Sequence, residues 1–202
     1  MKLYDLAAGL NPRRVRIFLA EKGVSIPIVP VDMLKGENTA PAFLAINPLG
    51  KLPVLELDDG SHISESTAIC RYIESLHPEP NLFGRDARES AGIEMWDRRI
   101  ELTVMAPILH VFRHLSPFWA GRVIQVAEWG EVSKKESFER LKWLDGELSA
   151  RQFIAGDRYT VADITLQCTL IVAKNVGIRI PEDHSNLARW FSQVSARPTA
   201  RA

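Results

Sequence analysis

The stretch His77-Pro78-Glu79-Pro80-Asn81-Leu82-Phe83-Gly84 divides this chain into two kinds of sequence. Proline lacks the N–H of a helical hydrogen bond and restricts the residue before it, so a helix arriving at His77 stops there. Upstream, strand and helix patterns alternate. Lys2–Leu6 and Ile26–Val31 read as short strands flanking a helix that carries Val15, Ile17, Phe18 and Leu19. Pro12 suits that helix's first position, where the missing N–H costs nothing, and Gly23 suits its C-terminal cap. A short helix is predicted over Pro41–Ile46. Lys51–Leu57 alternates like a strand, Asp58-Asp59-Gly60 signals a tight turn, and His62–Ser64 is the returning partner. From Ser64 or Glu65 a further helix presents Ala68, Ile69, Tyr72, Ile73 and Leu76 on one side. The order β-α-β, then α-β-β-α, makes a small four-stranded mixed sheet.

Downstream every long apolar pattern is helical. One helix is predicted from Asp86 toward Leu115, bent near Pro107. Others are predicted over Trp129–Ser149, Val161–Asn175 and Ser185–Arg197. Thr160 and Asp163 are spaced as a capping box, with Tyr159 and Ile164 as its hydrophobic staple, a folding device rather than a catalytic one. The predicted class is therefore α/β plus all-α. Residues 1–77 form the sheet domain, 78–85 a linker and 86–202 an all-helical domain.

Composition narrows the function. Hydrophobic residues make up 46% of the 202, enough for a packed core, and Lys plus Arg balance Asp plus Glu at 25 each. With no net charge to grip a polyanion, neither nucleic acid nor an acidic membrane is expected as partner. Cys70 and Cys168 are far apart, in apolar helical stretches, and form no CxxC spacing. Buried free thiols in a reducing cytoplasm are expected. No signal peptide is visible before Pro12-Arg13-Arg14, and the longest uncharged run, Ile164–Ala173, is too short for a bilayer.

Several chemistries are excluded by their motifs. There is no glycine-rich phosphate loop and no GxSxG elbow. His110 and His114 have i, i+4 spacing, but Val111 occupies the place of a zincin glutamate and no third ligand is evident, so no metal is expected. Two positive signals remain. Leu52-Pro53 opens a strand, and a cis bond there would turn the Leu52 backbone outward to pair with an extended peptide. Glu65-Ser66-Thr67 begins a helix just after a short strand, and free N–H groups at such an end attract an anion. Ser66 could hold a carboxylate there and Glu65 an ammonium group. Equally, Ser64 or Ser66 could simply cap the helix. Together, the two signals fit a γ-glutamyl peptide.

Leu49-Gly50-Lys51-Leu52-Pro53-Val54-Leu55 and Ile63-Ser64-Glu65-Ser66-Thr67-Ala68-Ile69 resemble the glutathione-binding core of the cytosolic glutathione S-transferase family. Asn11-Pro12-Arg13-Arg14-Val15-Arg16, Leu19-Ala20-Glu21-Lys22-Gly23 and Asn47-Pro48 resemble its first helix and the approach to its third strand. Gly156-Asp157-Arg158-Tyr159-Thr160-Val161-Ala162-Asp163 resembles its C-terminal folding motif. The resemblance implies an N-terminal thioredoxin-like domain followed by an all-helical C-terminal domain, a cytoplasmic homodimer, and glutathione as co-substrate. It implies that the Leu52 backbone beside Pro53 pairs with the cysteinyl part of glutathione. Glu65 and Ser66 then take the γ-glutamyl end, and Lys51 the glycyl carboxylate. Asn38 falls where related members place another polar contact to the glycyl end. Lys51 can also be read as a solvated strand-edge lysine.

The family usually places Tyr, Ser or Cys between the first strand and first helix, to stabilise the glutathione thiolate. Here stand Ala7, Ala8, Gly9, Leu10 and Asn11, without hydroxyl or thiol. Asn11 is the only side-chain donor before Pro12, so its amide could bond the sulfur. It could also be the N-cap of the helix, and the two readings are compatible. Arg13 or Arg14 would add positive potential unless solvated. The expected activity is attack of the glutathione thiol on a small hydrophobic electrophile, or glutathione-dependent reduction of a disulfide or peroxide. The alternative is a non-catalytic glutathione-binding or regulatory protein. The second substrate is expected between the domains, with Met105, His110, Arg113, His114, Phe118 and Trp119 as candidates.

Overall fold

The computed structural model describes residues 1–202. It divides into one unit of Met1–Leu82 with Arg201–Ala202 and a second of Phe83–Ala200.

The first unit is built on four short strands. Strand β1 (Lys2–Asp5) leads into helix α1 (Leu10–Glu21), which returns the chain to β2 (Ile28–Pro30). Helix α2 (Pro41–Leu44) precedes β3 (Val54–Glu56) and β4 (His62–Ser64), and α3 (Ser66–Leu76) closes the unit. The sheet order is β2-β1-β3-β4, with β1 parallel to β2 and antiparallel to β3, and β3 antiparallel to β4. This is the thioredoxin-like arrangement. Leu3 lies opposite Leu55, and Tyr4 opposite Val54, so alternation sends each pair to its own face. On the Tyr4 face α2 supplies Phe43, which stands edge-on to Tyr4 at 5.9 Å and clusters with Val31 and Val54. Helices α1 and α3 pack together and bury Val15, Phe18, Ile69 and Ile73.

Gly23 ends α1 as the sequence suggests. At φ 65° it lets its own N–H reach Ala20 O at 3.1 Å while Val24 N–H reaches Leu19 O at 2.9 Å, a Schellman motif. Pro12, by contrast, is the third helical residue and not the first, because α1 already begins at Leu10. The position tolerates it, since the first helical bond is Arg13 N–H to Gly9 O at 3.0 Å and Pro12 has no donor to waste.

In the second unit Asp86 caps α4 (Ala87–Arg99) by accepting from Glu89 N–H at 2.8 Å. The chain continues through a π-helical turn at Ile100–Met105 into α5 (Ala106–Leu115). The interruption expected at Pro107 therefore falls one turn upstream, where the backbone widens before the residue that cannot donate. Helix α6 (Ala127–Glu147), α7 (Val161–Ala173) and α8 (Ser185–Ser195) follow. Nearly every residue of α7 is buried, packed against α4, α5 and α8. Its capping box is present: Thr160 N–H donates to Asp163 Oδ2 at 2.9 Å. Asp163 Oδ1 also accepts Ile154 N–H at 3.0 Å and Trp190 Nε1 at 2.8 Å. No helix is long and apolar enough to cross a membrane.

Candidate functional site

The β3–β4 hairpin makes neighbours of two segments that are separate in sequence. Val54 lies opposite Ser64, so Leu52-Pro53, just before β3, and Glu65-Ser66, just after β4, meet at one end of the sheet. The Leu52–Pro53 bond is cis. Neither the N–H nor the C=O of Leu52 bonds within the chain, which leaves both available to an extended ligand.

The turn that delivers this pair is held from behind. Asn47 Nδ2 donates to Lys51 O at 2.8 Å, and Asn38 Nδ2 to Gly50 O at 2.9 Å. Both asparagines are buried. Gly50 has φ 59°, and a Cβ there would stand 2.8 Å from Asn38 O, so no other residue fits. Asn38 thus spends its amide N–H on the turn, while Lys51 projects an exposed side chain. Sequence reasoning missed Asn47 as a turn clamp; its place three residues before the αL Gly50 was the available signal.

Helix α3 begins without a side-chain cap, so neither Ser64 nor Ser66 plays that part. Its first helical bond runs from Ile69 N–H to Glu65 O at 3.0 Å, which leaves the N–H groups of Ser66, Thr67 and Ala68 without backbone partners. Ser66 is 5% exposed. Glu65, exposed at the N-cap, is the single non-glycine residue with positive φ, at 70°. Such backbone is costly and gathers where the chain must present a group in one direction. Nothing in the amino-acid pattern announced it.

Helix α1 brings a third element to the same end. Its N-cap is Gly9, and a Cβ on that residue would stand 2.8 Å from Pro12 Cγ. Asn11 is therefore inside the first turn and caps nothing. Its Oδ1 accepts from Arg14 Nη1 at 3.3 Å, and Arg14 Nη2 donates to Thr67 Oγ1 at 3.0 Å. The first turns of α1 and α3 are joined in this way. Arg14, only 2% exposed, is not the solvated cation that one reading of the sequence allowed. The turn ahead of α1 is held by Arg16, which grips Asp5 Oδ1 at 2.6 Å and Ala7 O at 2.8 Å.

In the second unit His114 Nδ1 accepts Val126 N–H at 3.1 Å, and His110 lies with its ring 5.6 Å from that of Trp129. Phe112, Phe118 and Trp119 form one aromatic cluster with centroids 5.0–6.0 Å apart. Met105 is buried and Arg113 exposed. No group of three His, Cys, Asp or Glu side chains is placed to hold a metal ion. Cys70 and Cys168 are buried and form no disulfide.

A mixed four-stranded thioredoxin-like sheet with a cis-proline strand and an uncapped helix start, followed by a helical unit, defines a thioredoxin-like domain joined to an all-helical one. The family model "Glutathione S-transferase, N-terminal domain" matches residues 10–76, and "Glutathione S-transferase, C-terminal domain" matches residues 125–198. Glutathione S-transferase 2 of Saccharomyces cerevisiae is 38% identical over 205 aligned positions, covering 100% of this chain and 88% of that protein. Maleylacetoacetate isomerase of Pseudomonas aeruginosa is 31% identical, covering 100% of this chain and 94% of its own. The crystal structure of Gtt2 from Saccharomyces cerevisiae superposes with a TM-score of 0.94 at 38% identity, covering 100% of this chain and 99% of that one. The chain belongs to the glutathione S-transferase family.

Proposed function

We propose that this chain is a glutathione transferase whose first unit holds the tripeptide at the junction of β3, α3 and α1. The observation that carries the reading is the unpaired Leu52 backbone beside the uncapped start of α3, set together by the Val54–Ser64 pairing. In this reading the Leu52 N–H and C=O pair with the cysteinyl residue as a strand would, next to Pro53. Ser66 and the free N–H groups of α3 receive the γ-glutamyl carboxylate, Glu65 its ammonium group, and Lys51 the glycyl carboxylate. Asn38 serves the glycyl end through the turn that carries Lys51. Asn11 donates from Nδ2 to the sulfur, because its oxygen is already taken by Arg14.

A free cysteine thiol titrates near 8.5, so stabilising the thiolate is the chemical task. The bound thiol releases its proton to water. The sulfur then forms a bond to an electrophilic carbon of a small hydrophobic substrate, and the leaving group departs with its electron pair. With a disulfide as substrate, sulfur attacks sulfur and a thiolate leaves. The buried state of both cysteines supports this use of glutathione's sulfur in place of the chain's own. The reading includes a cytoplasmic homodimer, as the family resemblance implies; sedimentation at low micromolar concentration tests it, a clean monomer being the contrary result.

The central test is a titration of bound glutathione by thiolate absorbance. The wild type should show a pKa below that of free glutathione, and Asn11→Ala should raise it with a parallel loss of turnover on halogenated aromatics, hydroperoxides or a small disulfide. A bound pKa equal to the free value, with turnover unchanged in Asn11→Ala, would remove the catalytic assignment.

A further inference from the structure

A primary amide has an acceptor on one side and a donor on the other, and the chain must choose which one faces the ligand. A guanidinium can only donate. Arg14 Nη1 stands 3.3 Å from the Asn11 side chain, so the amide oxygen must face the arginine and the NH₂ must face away. The arginine itself is not free to follow a flipped amide. It is 2% exposed, and its Nη2 is bonded to Thr67 Oγ1 at 3.0 Å, in the first turn of α3. Leu10 and Pro12 beside Asn11 are buried, so the turn that bears the amide is fixed as well.

We infer that Arg14 is a positioning residue for thiolate formation: it locks the Asn11 amide with its N–H donors toward the glutathione sulfur. The inference rests on the reading of Asn11 as sulfur donor given above. Arg14 does three things through its two contacts. It forbids the flip that would aim an amide oxygen at a thiolate, which would repel it. It polarises the amide, so the N–H groups become stronger donors, as hydrogen bonds in series do inside a protein. Through Thr67 it sets the distance between the sulfur-facing turn of α1 and the start of α3, where Ser66 would hold the other end of the peptide. One buried side chain thus fixes the register between the part of the site that binds and the part that activates.

The experiment compares three variants of the full chain by thiolate titration of bound glutathione and by the pH dependence of turnover on a halogenated aromatic. Asn11→Asp keeps an oxygen for Arg14 and has no N–H to offer, so it should fold normally and raise the thiol pKa. If it leaves that pKa unchanged, Asn11 is not the donor and the underlying reading fails. Arg14→Met should raise the pKa by about one unit, a tenfold loss of thiolate in the neutral range, with glutathione affinity changed far less. In ¹⁵N-labelled protein its Asn11 side-chain amide signals should broaden as the flip is released. A raised pKa in Asn11→Asp beside an unaltered pKa, pH profile and amide signal in Arg14→Met would overturn the inference and leave the reading standing. Should Arg14→Met not fold, Thr67→Val removes only the second anchor; it should shift the pKa in the same direction by less, and no shift there overturns the inference equally.

Discussion

Val54 lies directly opposite Ser64 on the antiparallel β3–β4 pair, and that single register decides where the site can be. Because side chains alternate along a strand, slipping the hairpin by one residue would reverse the faces of β4 and carry Glu65-Ser66 away from Leu52-Pro53. Register is pinned by Asp59 in the turn, whose Oδ1 accepts from Ser61 N–H at 2.9 Å, and by Leu57 N–H donating to Ser61 O at 2.8 Å.

Ser66→Ala should weaken glutathione binding without unfolding the protein. Ser66 is 5% exposed but carries no capping bond, so its hydroxyl contributes little to the helix. A hydrogen bond to a charged carboxylate is worth about 1.5–3 kcal/mol, and its loss should raise Kd at least tenfold. Calorimetric titration with glutathione, beside a thermal melt, measures both quantities. Unchanged affinity would place the carboxylate elsewhere.

Asn38→Ala should lower stability and affinity together, and so differ from Ser66→Ala. The Asn38 amide donates to Gly50 O from a buried position, and its removal leaves that carbonyl unpaired, at about 1–3 kcal/mol. The turn would then deliver Lys51 and Leu52 less accurately. Gly50→Ala should reproduce the effect more strongly, since φ 59° and the 2.8 Å approach to Asn38 O both oppose a Cβ. A loss of affinity with an unchanged melting temperature in Asn38→Ala would show a direct contact instead.

The strand–helix order was legible in the sequence because proline and glycine mark its joints and the strands alternate cleanly. Gly23 and the Thr160–Asp163 box act as local chemistry predicts, since each is a contact within a few residues. The candidate site was legible where a motif coincides with a chain break, at Leu52-Pro53 and Glu65-Ser66. Arg14 was not. Arg13, Arg14 and Arg16 look alike as letters, and the 100° step of a helix sends each in a different direction. Only the packing of α1 on α3 makes Arg14 the buried one. The start of α1 was misplaced for a similar reason: Gly9 gives no side-chain cap signal, and Asn11 mimics one. The widened turn before Pro107 escaped because a proline's effect on its helix is felt upstream, along the hydrogen bonds it cannot complete.

Lys22→Met should destabilise the first unit severely. The Lys22 side chain is fully buried at the end of α1, ion-paired with Glu74 of α3 at 2.5 Å and donating to Pro80 O at 2.6 Å. Glu74 in turn accepts Leu82 N–H at 3.0 Å, so the pair fastens the chain after α3 to both helices. Removing one partner strands the other charge, at about 3–5 kcal/mol. The double change Lys22→Met with Glu74→Leu should recover part of that loss. Denaturant unfolding of both variants and of Glu74→Leu alone completes the cycle, and single losses that simply add in the double variant would mean the charges are not coupled.

The helical unit should carry a pH-dependent stability traceable to Asp163. Burial pushes its carboxyl up from 3.8 to about 6, although bonds from Ile154, Trp190 and Thr160 pull the other way. A raised folded pKa means folding favours the protonated acid. This contribution is fully present below about pH 3.8 and is lost as pH rises through about 6. Glu89, held below its ordinary value by hydrogen bonds from Arg158 and the Arg85 N–H, acts oppositely and at lower pH. The wild type alone therefore mixes two trends, and the difference from Asp163→Asn separates them. Asparagine cannot titrate and offers one oxygen where the carboxylate serves donors on both, so the variant should be less stable throughout, by about 1–3 kcal/mol for each donor left unpaired. Its deficit should be largest on the acid side and shrink as pH rises through the titration of Asp163. Urea midpoints for both proteins across this range supply the comparison, and a constant difference would show that folding does not raise the Asp163 pKa.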